Sequence, residues 1–432
     1  MTSGLSDAYT ATLSRIRGQR GALARYGILA LMWILLAERP LFFNELCHAL
    51  TVEVEPPNFD PEMVPAIETI LASCIGLVTI DHASSTVRLV HATLKEYLCS
   101  HQDTLFRDAH ATIAEVCLSY LSIQSVRELL PNLETDPPEF PLLSYACCHW
   151  GAHAQKELTV RVRQLAFGIL DHLQHVAANI SLRYWDDILR WGRDSAGFSG
   201  LHYVAYFGIN EILEKLLDIG HGDLNKGDRW GRTPLHLAAE WGNERVVETL
   251  LRCTDVNPNV GNWKWAMPLH RASKNGHEGV VRILLSHAKV NPDLCAWYCH
   301  KPLHYASEHG HEGVVRALLD RPEVNLNSTN QHGQTSLTLA AQKGHEGVIR
   351  ILLSRADVNP NLTTWGLVTP LTQAARNGHE GVVRMLLSHA YINPNLANRD
   401  SRTPLSLAAE HGHAGVVRIL QSHTNANPGL GH

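Results

Sequence analysis

The sequence predicts a mainly α-helical chain. A helical amino-terminal region containing one β-hairpin is followed by a solenoid of stacked helical hairpins. Two periodic registers carry the second part. Leucine opens a helical block at Leu201, Leu235, Leu269, Leu303, Leu337, Leu371 and Leu405, always 34 residues apart, and Asn257, Asn291, Asn325, Asn359, Asn393 and Asn427 keep the same step. A fixed period of this length marks a repeat architecture. In the first part, apolar runs at helical spacing are interrupted by prolines and by a single pair of short β-like runs.

The amino-terminal elements follow in order. Tyr26 to Ala37 is apolar and helical, and Pro40 stops it. Phe43–Leu50 is a second helix, Pro56-Pro57 breaks the chain, and Pro61–Ser73 forms a third helix. Leu77–Ile80 and Val87–Val90 are strands joined by the polar turn His82–Ser85. Three helices and a hairpin make a winged helix, here over residues 21–105. His91–Leu98 opens a further helix, and residues 106–199 read as an all-helical linker with one long loop near Pro131–Pro141.

Each later unit has the same internal logic. Thr233-Pro234-Leu235-His236 starts a helix, with Thr as N-cap and Pro at the first helical position, where its missing N–H costs nothing. Ala238 and Ala239 let neighbouring helices approach. Gly242 ends the helix in the left-handed conformation. Val246, Val247, Leu250 and Leu251 form the apolar stripe of a second helix, and Asp255-Val256-Asn257-Pro258-Asn259 makes the loop. Gly276-His277-Glu278-Gly279-Val280-Val281-Arg282 recurs as Gly310–Arg316, Gly344–Arg350 and Gly378–Arg384. In the last unit Gln421 replaces an apolar residue and makes the outer face more polar, as an end cap requires.

The Thr-Pro-Leu-His start, followed by Gly-His-x-x-Val-Val-x-x-Leu-Leu, resembles the ankyrin repeat with one extra loop residue. The resemblance covers residues 200–432, about seven repeats. It implies a stack of helix pairs with β-turn fingers projecting from one edge, so the fold class is a winged-helix-like and helical region followed by an ankyrin-repeat solenoid.

The amino-terminal half carries a second resemblance. Gly4-Leu5-Ser6-Asp7-Ala8-Tyr9, Leu31-x-Trp33-Ile34, Ala37-x-Arg39-Pro40-Leu41 and Glu45-Leu46-x-x-Ala49-Leu50 are similar to the segment after the NTPase core in fungal NACHT-ankyrin proteins. Arg88-Leu89-Val90-His91-x-Thr93-x-x-Glu96-Tyr97, Ser144-Tyr145-Ala146 and Trp150-Gly151-x-His153 continue it. That family is a STAND-type, NLR-like signalling group. The resemblance implies that residues 1–20 are the end of an NTPase module and that the winged helix transmits conformational state. No Gly-x-x-x-x-Gly-Lys-Ser/Thr occurs, so nucleotide binding is not carried over. The chain is then a truncated relative, a fragment or a partial gene model.

Composition excludes several classes. With 37 Lys and Arg against 42 Asp and Glu, the net charge is −5. By segment it is −4 for residues 1–105, −3 for 106–199 and +2 for 200–432, so no part carries the positive field that nucleic acid requires. The third predicted helix of the winged segment holds Glu62 and Glu68 and no Lys or Arg, which disfavours DNA. The longest apolar run, Gly27–Ala37, is 11 residues and too short to span a bilayer. Nine cysteines without a Cys-x-x-Cys, an odd number, fit a reducing, cytoplasmic compartment.

Candidate chemistry is sparse. His277, His311, His345, His379 and His413 occupy one repeat position and read as a scaffold device that hydrogen-bonds neighbouring repeats rather than as metal ligands. Cys147-Cys148-His149 with His153 is the sharpest local cluster, but no second ligand pair accompanies it. Cys295 and Cys299 read as small filler residues of a finger. His277-Glu278 does not extend to His-Glu-x-x-His, and no Gly-x-Ser-x-Gly is present. We therefore expect no enzyme, no cofactor and no metal.

Positions that repeat build the scaffold, whereas positions that vary are available for recognition. The variable finger positions carry Arg229, Trp230, Trp263, Lys264, Trp265, Trp297, Tyr298, His332, Trp365 and Arg399. The inner-helix ends add Trp241 and Arg376. Such residues dominate binding hot spots; the competing reading is that the rings stack along the fingers and stiffen the array. The expectation is a protein-interaction module that holds a protein ligand on its fingers and concave face. The alternative is a stand-alone adaptor or decoy that binds full-length relatives through its amino-terminal half. An enzyme or small-molecule binder using the aromatic fingers would need a closed polar pocket.

Overall fold

A computed structural model describes residues 3–54, 57–58, 60–128, 137–170, 198–220 and 222–426. Residues 131–136 of the predicted loop, residues 171–197 of the predicted linker, and Asn427 lie outside the described residues. The chain divides into two compact units, 1–200 and 201–432.

In the first unit, α1 (Ser3–Arg17) packs on α2 (Ala22–Leu36) and on α5 (Ala92–Ser100). Tyr9 Oη lies 2.8 Å from the Thr93 hydroxyl. α2 is strongly apolar, and its Leu31 and Trp33 are buried. In the first turn of α3 (Phe43–Thr51), Glu45 is buried, accepts from the Phe42 N–H at 2.8 Å and pairs with Arg39 at 2.5 Å. β1 (Glu53–Val54) and β2 (Pro57–Asn58) make a short antiparallel ladder across the Pro56-Pro57 break.

The third predicted helix is shorter than its sequence suggests. Pro61–Met63 is one 3₁₀ turn, and α4 runs only from Ile67 to Ser73. Pro65 disfavours helical backbone at Val64 and lacks the N–H that would continue the ladder. The hairpin matches its expected place: β3 (Val78–Asp81) pairs with β4 (Thr86–Leu89), Val78 opposite Leu89 and Asp81 opposite Thr86. Helices α2 to α4 and this hairpin build the winged-helix arrangement. The remaining helices among the described residues of this unit are α6 (Gln102–Leu105), α7 (Ala109–Ser122), α8 (Gln124–Arg127), α9 (Leu143–Lys156) and α10 (Val160–Leu170).

The α7–α9 face also accounts for the Cys147–His153 cluster. His153 is buried, with Nε2 2.9 Å from Tyr145 Oη and Nδ1 2.8 Å from His110 Nδ1. Burial drives its basicity down to about 3. Its two ring nitrogens are engaged by protein groups, and among the described residues no cluster of His, Cys, Asp or Glu could hold a metal ion.

The second unit is seven helix pairs. Inner helices are Gly200–Phe207, Pro234–Glu240, Pro268–Asn275, Pro302–His309, Ser336–Lys343, Pro370–Arg376 and Pro404–Glu410; each is followed by an outer helix, from Asn210–Asp218 to Ala414–Ala426. Inner helices pack on inner helices and outer on outer. The core of one unit is Leu235, Ala238, Ala239, Val246, Val247 and Leu250, all nearly inaccessible. Gln421 at the end of the stack is exposed.

Candidate protein-binding surface

Three hydrogen-bonded seams join the repeats, and they determine which side chains are left over. The first uses the recurring histidine. Nε2 of His277, His311, His345, His379 and His413 donates to the carbonyls of Glu240, Lys274, Glu308, Gln342 and Arg376, at 2.9 to 3.0 Å. Each ring presses on the helix-ending glycine of the preceding repeat. A methyl group on Gly310, whose φ is already +78°, would lie 2.7 Å from His345 Nδ1.

The second seam lies in the inter-repeat loops. Asn225, Asn259, Asp293, Asn327 and Asn361 accept with Oδ1 from the backbone N–H of Asn257, Asn291, Asn325, Asn359 and Asn393. Four of these side chains also donate Nδ2 to a carbonyl of the next loop, as Asn259 does to Lys289 at 2.6 Å. The 34-residue asparagine register marks the receiving end of this ladder.

The third seam is the row of fingers. Trp263 N–H donates to Trp230 O, Trp297 to Lys264, Gln331 to Tyr298, Trp365 to His332 and Arg399 to Gly366, at 2.8 to 3.4 Å. Within a finger, one side-chain oxygen organises the turn. Asp228, Asn262, Asn330 and Asn398 Oδ1 accept the N–H groups two and four residues on, and Thr364 Oγ1 does so more loosely. Asp228 also forms a buried ion pair with Arg232 at 2.7 Å.

The finger tip requires left-handed backbone at a position sequence reasoning missed. Gly231 and Gly333 fill it without strain, but Trp265, Cys299, Leu367 and Ser401 occupy the equivalent places with φ between +53° and +59°. Bulky residues rarely adopt this conformation. A 34-residue register on Gly231 and Gly333 was the available signal.

The backbones of this row are thus bonded finger to finger, and its side chains project. Trp263, Trp265, Trp297, Tyr298 and Trp365 are all exposed, Trp265 to 70%. Arg229, Lys264, His332 and Arg399 are exposed beside them, and Trp230 is half-buried with the Arg232 guanidinium 4.9 Å from its ring. The rings also touch. Trp263 meets Trp297 edge-on at 6.1 Å, Trp297 lies 5.7 Å from Tyr298, and Tyr298 stacks on His332 at 6.0 Å. Lys264 Nζ sits 4.8 Å from the Trp263 ring centre. Trp365 and Trp265 stand outside this chain of contacts but share the ridge. At the inner-helix ends, Trp241 is exposed and leans edge-on against Tyr206 at 4.8 Å, and Arg376 is exposed.

A periodic stack whose repeats are bonded edge to edge, with variable side chains on one row of turns, defines a repeat scaffold protein. The ankyrin-repeat profile matches three overlapping stretches, 201–295, 269–364 and 357–430, which together span more than half of the chain. The chain belongs to the ankyrin-repeat family, whose repeats are protein–protein interaction modules. Residues 10–126 match a profile described as the winged helix domain of GPI inositol-deacylase. Among solved structures the chain is similar to the human ASB11 ankyrin repeat domain, with 24% identity over 52% of this chain and 97% of that one and a TM-score of 0.46. It is also similar to the ankyrin repeat domain of Bcl-3, a member of the IkappaB protein family, with 22% identity over 52% and 99% and a TM-score of 0.47. No curated protein sequence matches it. Among the described residues, no helix is long and apolar enough to cross a membrane.

Proposed function

We propose that residues 200–432 are the ligand-sensing part of an NLR-like signalling protein, and that the finger ridge is where a protein ligand is held. The exposed indoles on an already hydrogen-bonded backbone carry this reading. Their fingers are tied to one another, so little conformational entropy is lost when a partner covers them. Large aromatic rings then supply buried area at few rotatable bonds, as binding hot spots do. Lys264, Arg229 and Arg399 flank the rings and favour a partner with carboxylates around an apolar centre. In this reading the winged-helix half couples ligand occupancy to a signalling ATPase of the NACHT type, in the cytoplasm.

The test is the triple variant W263A/W297A/W365A in the full chain. Captured proteins are identified by mass spectrometry for wild type and variant, and circular dichroism verifies the fold. Loss of a specific captured protein with unchanged helicity supports the ridge as the site. Unchanged capture removes it.

A further inference from the structure

The third finger, Cys295 to His300, departs from the others, and the departure places two thiols together. Five fingers begin their turn with a side-chain oxygen that accepts two backbone N–H groups; the third has Ala296 there and has no such clamp. The other turns close with an N–H from the left-handed residue to the carbonyl three residues earlier, as Trp265 to Asn262 at 2.7 Å. In the third finger the closing bond moves one residue on, from His300 N–H to Trp297 O at 3.3 Å. Two successive residues, Tyr298 at φ +57° and Cys299 at φ +54°, become left-handed.

Cys295 and Cys299 flank this turn, and both are exposed. Their positions face each other across the finger. At the equivalent place in the preceding fingers, a Cβ on Gly227 would lie 2.7 Å from Gly231 Cα, and one on Gly261 would lie 3.2 Å from Trp265 Cα. In the third finger the Ala296 N–H donates to His300 O at 2.8 Å, which draws the two arms of the turn together. A disulfide needs Cβ atoms about 3.5–4.5 Å apart, a separation that two residues on facing arms of one tight turn can reach.

We infer that Cys295 and Cys299 are a redox modification site, a dithiol that small-molecule disulfides oxidise to a disulfide closing the third finger. Exposed Cys299 attacks one sulfur of the oxidant as a thiolate. The oxidant's S–S bond breaks, one small thiolate leaves and a mixed disulfide forms. Cys295 then loses its proton to solvent and attacks the Cys299 sulfur, expelling the second small thiolate. Two protein thiols are oxidised and one disulfide is reduced to two thiols. Cys295 suits the second role, because burial holds its thiol above the ordinary value and a neighbouring mixed disulfide compensates by proximity. The bridge would replace covalently the clamp that Ala296 omits, and would hold Trp297 and Tyr298 in one geometry. An exposed bridge over so short a loop belongs to the readily reduced kind.

The experiment equilibrates the reduced full chain in glutathione buffers of rising oxidised fraction, traps free thiols by alkylation and maps the peptides by mass. The expected product is a Cys295–Cys299 peptide lighter by two hydrogens and unalkylated, fully reversed by reduced glutathione. Cys99, exposed on α5 and far in sequence from any other cysteine, reports ordinary single-thiol behaviour and should carry glutathione instead. The variant C295S should convert Cys299 to that same mixed-disulfide product. If Cys295 and Cys299 are recovered alkylated, or each glutathionylated, where Cys99 is fully glutathionylated, the inference is overturned.

Discussion

His345 Nε2 donates to the carbonyl of Glu308 at 2.9 Å, from one repeat to the end of the preceding inner helix, while its ring rests on Gly310. The bond satisfies a helix-terminal carbonyl that the helix itself cannot. The glycine is needed twice, for its left-handed backbone and for the space the imidazole fills.

H345A should therefore destabilise the protein by about 1–2 kcal/mol, the cost of an unsatisfied partner. G310A should cost more than about 1 kcal/mol, because alanine at positive φ is strained and its methyl meets the ring. In G310A/H345A the steric part disappears, so the double variant should be less destabilised than the two single effects added together. Urea unfolding of all three measures this, and strict additivity would refute the contact.

The histidines that follow the repeat-opening leucines predict acid lability. His202, His270 and His304 are held down to about 4 and His236 to about 3, in each case chiefly by burial. Nδ1 of His236 accepts the Thr233 N–H, and Nε2 donates to Ala266 O at 2.9 Å, so the neutral ring is the bonded form. The unfolded rings bind protons near pH 6.5 and the folded rings only near pH 4 or below. Stability is thus fully present above about pH 6.5 and falls as pH drops towards 4, by about 1.4 kcal/mol per pH unit for each ring. Denaturant midpoints at pH 7 and pH 5 should show the loss. H270T, which installs the residue found at Thr338 and Thr372, should flatten the pH slope by one ring's share; an unchanged slope would rule the ring out.

The first finger predicts a compensating pair. D228N keeps the acceptor for the Trp230 and Arg232 N–H groups but strands the buried Arg232 charge, at a cost of about 3 kcal/mol. D228N/R232A recreates the Asn262/Ala266 pair of the next finger and should recover most of that stability. A double variant as unstable as D228N would show that the ion pair is not the source.

Trp265 separates recognition from support. Its φ of +53° is costly for an indole that is 70% exposed. W265G should leave stability unchanged or raise it by up to about 1 kcal/mol. A clear drop in thermal midpoint would mean that the ring braces the stack.

Much of this surface was legible. The two 34-residue registers locate every helix pair, and the recurring histidine reads correctly as a bond between neighbours. Gly279 shows the limit. Its sequence neighbours suggest only a helix start, yet a methyl there would overlap the carboxylate of Glu244, a residue of the preceding repeat. The exposure of Cys295 and Cys299, read as filler, falls in the same class, because it depends on what a second stretch of chain places beside the residue. The shortened Pro61–Ser73 helix does not, since Pro65 within the segment breaks it.

Local order in the chain was enough to specify helices, turns and their period, because caps, glycine ends and apolar stripes act within a few residues. Partners 30 to 37 residues apart, such as Asn259 with Lys289 or His277 with Glu240, become neighbours only when the hairpins stack. That stacking ties the finger backbones to one another and leaves Trp263, Trp297 and Trp365 exposed, because the inter-repeat bonds are made by backbone groups and do not use the indoles.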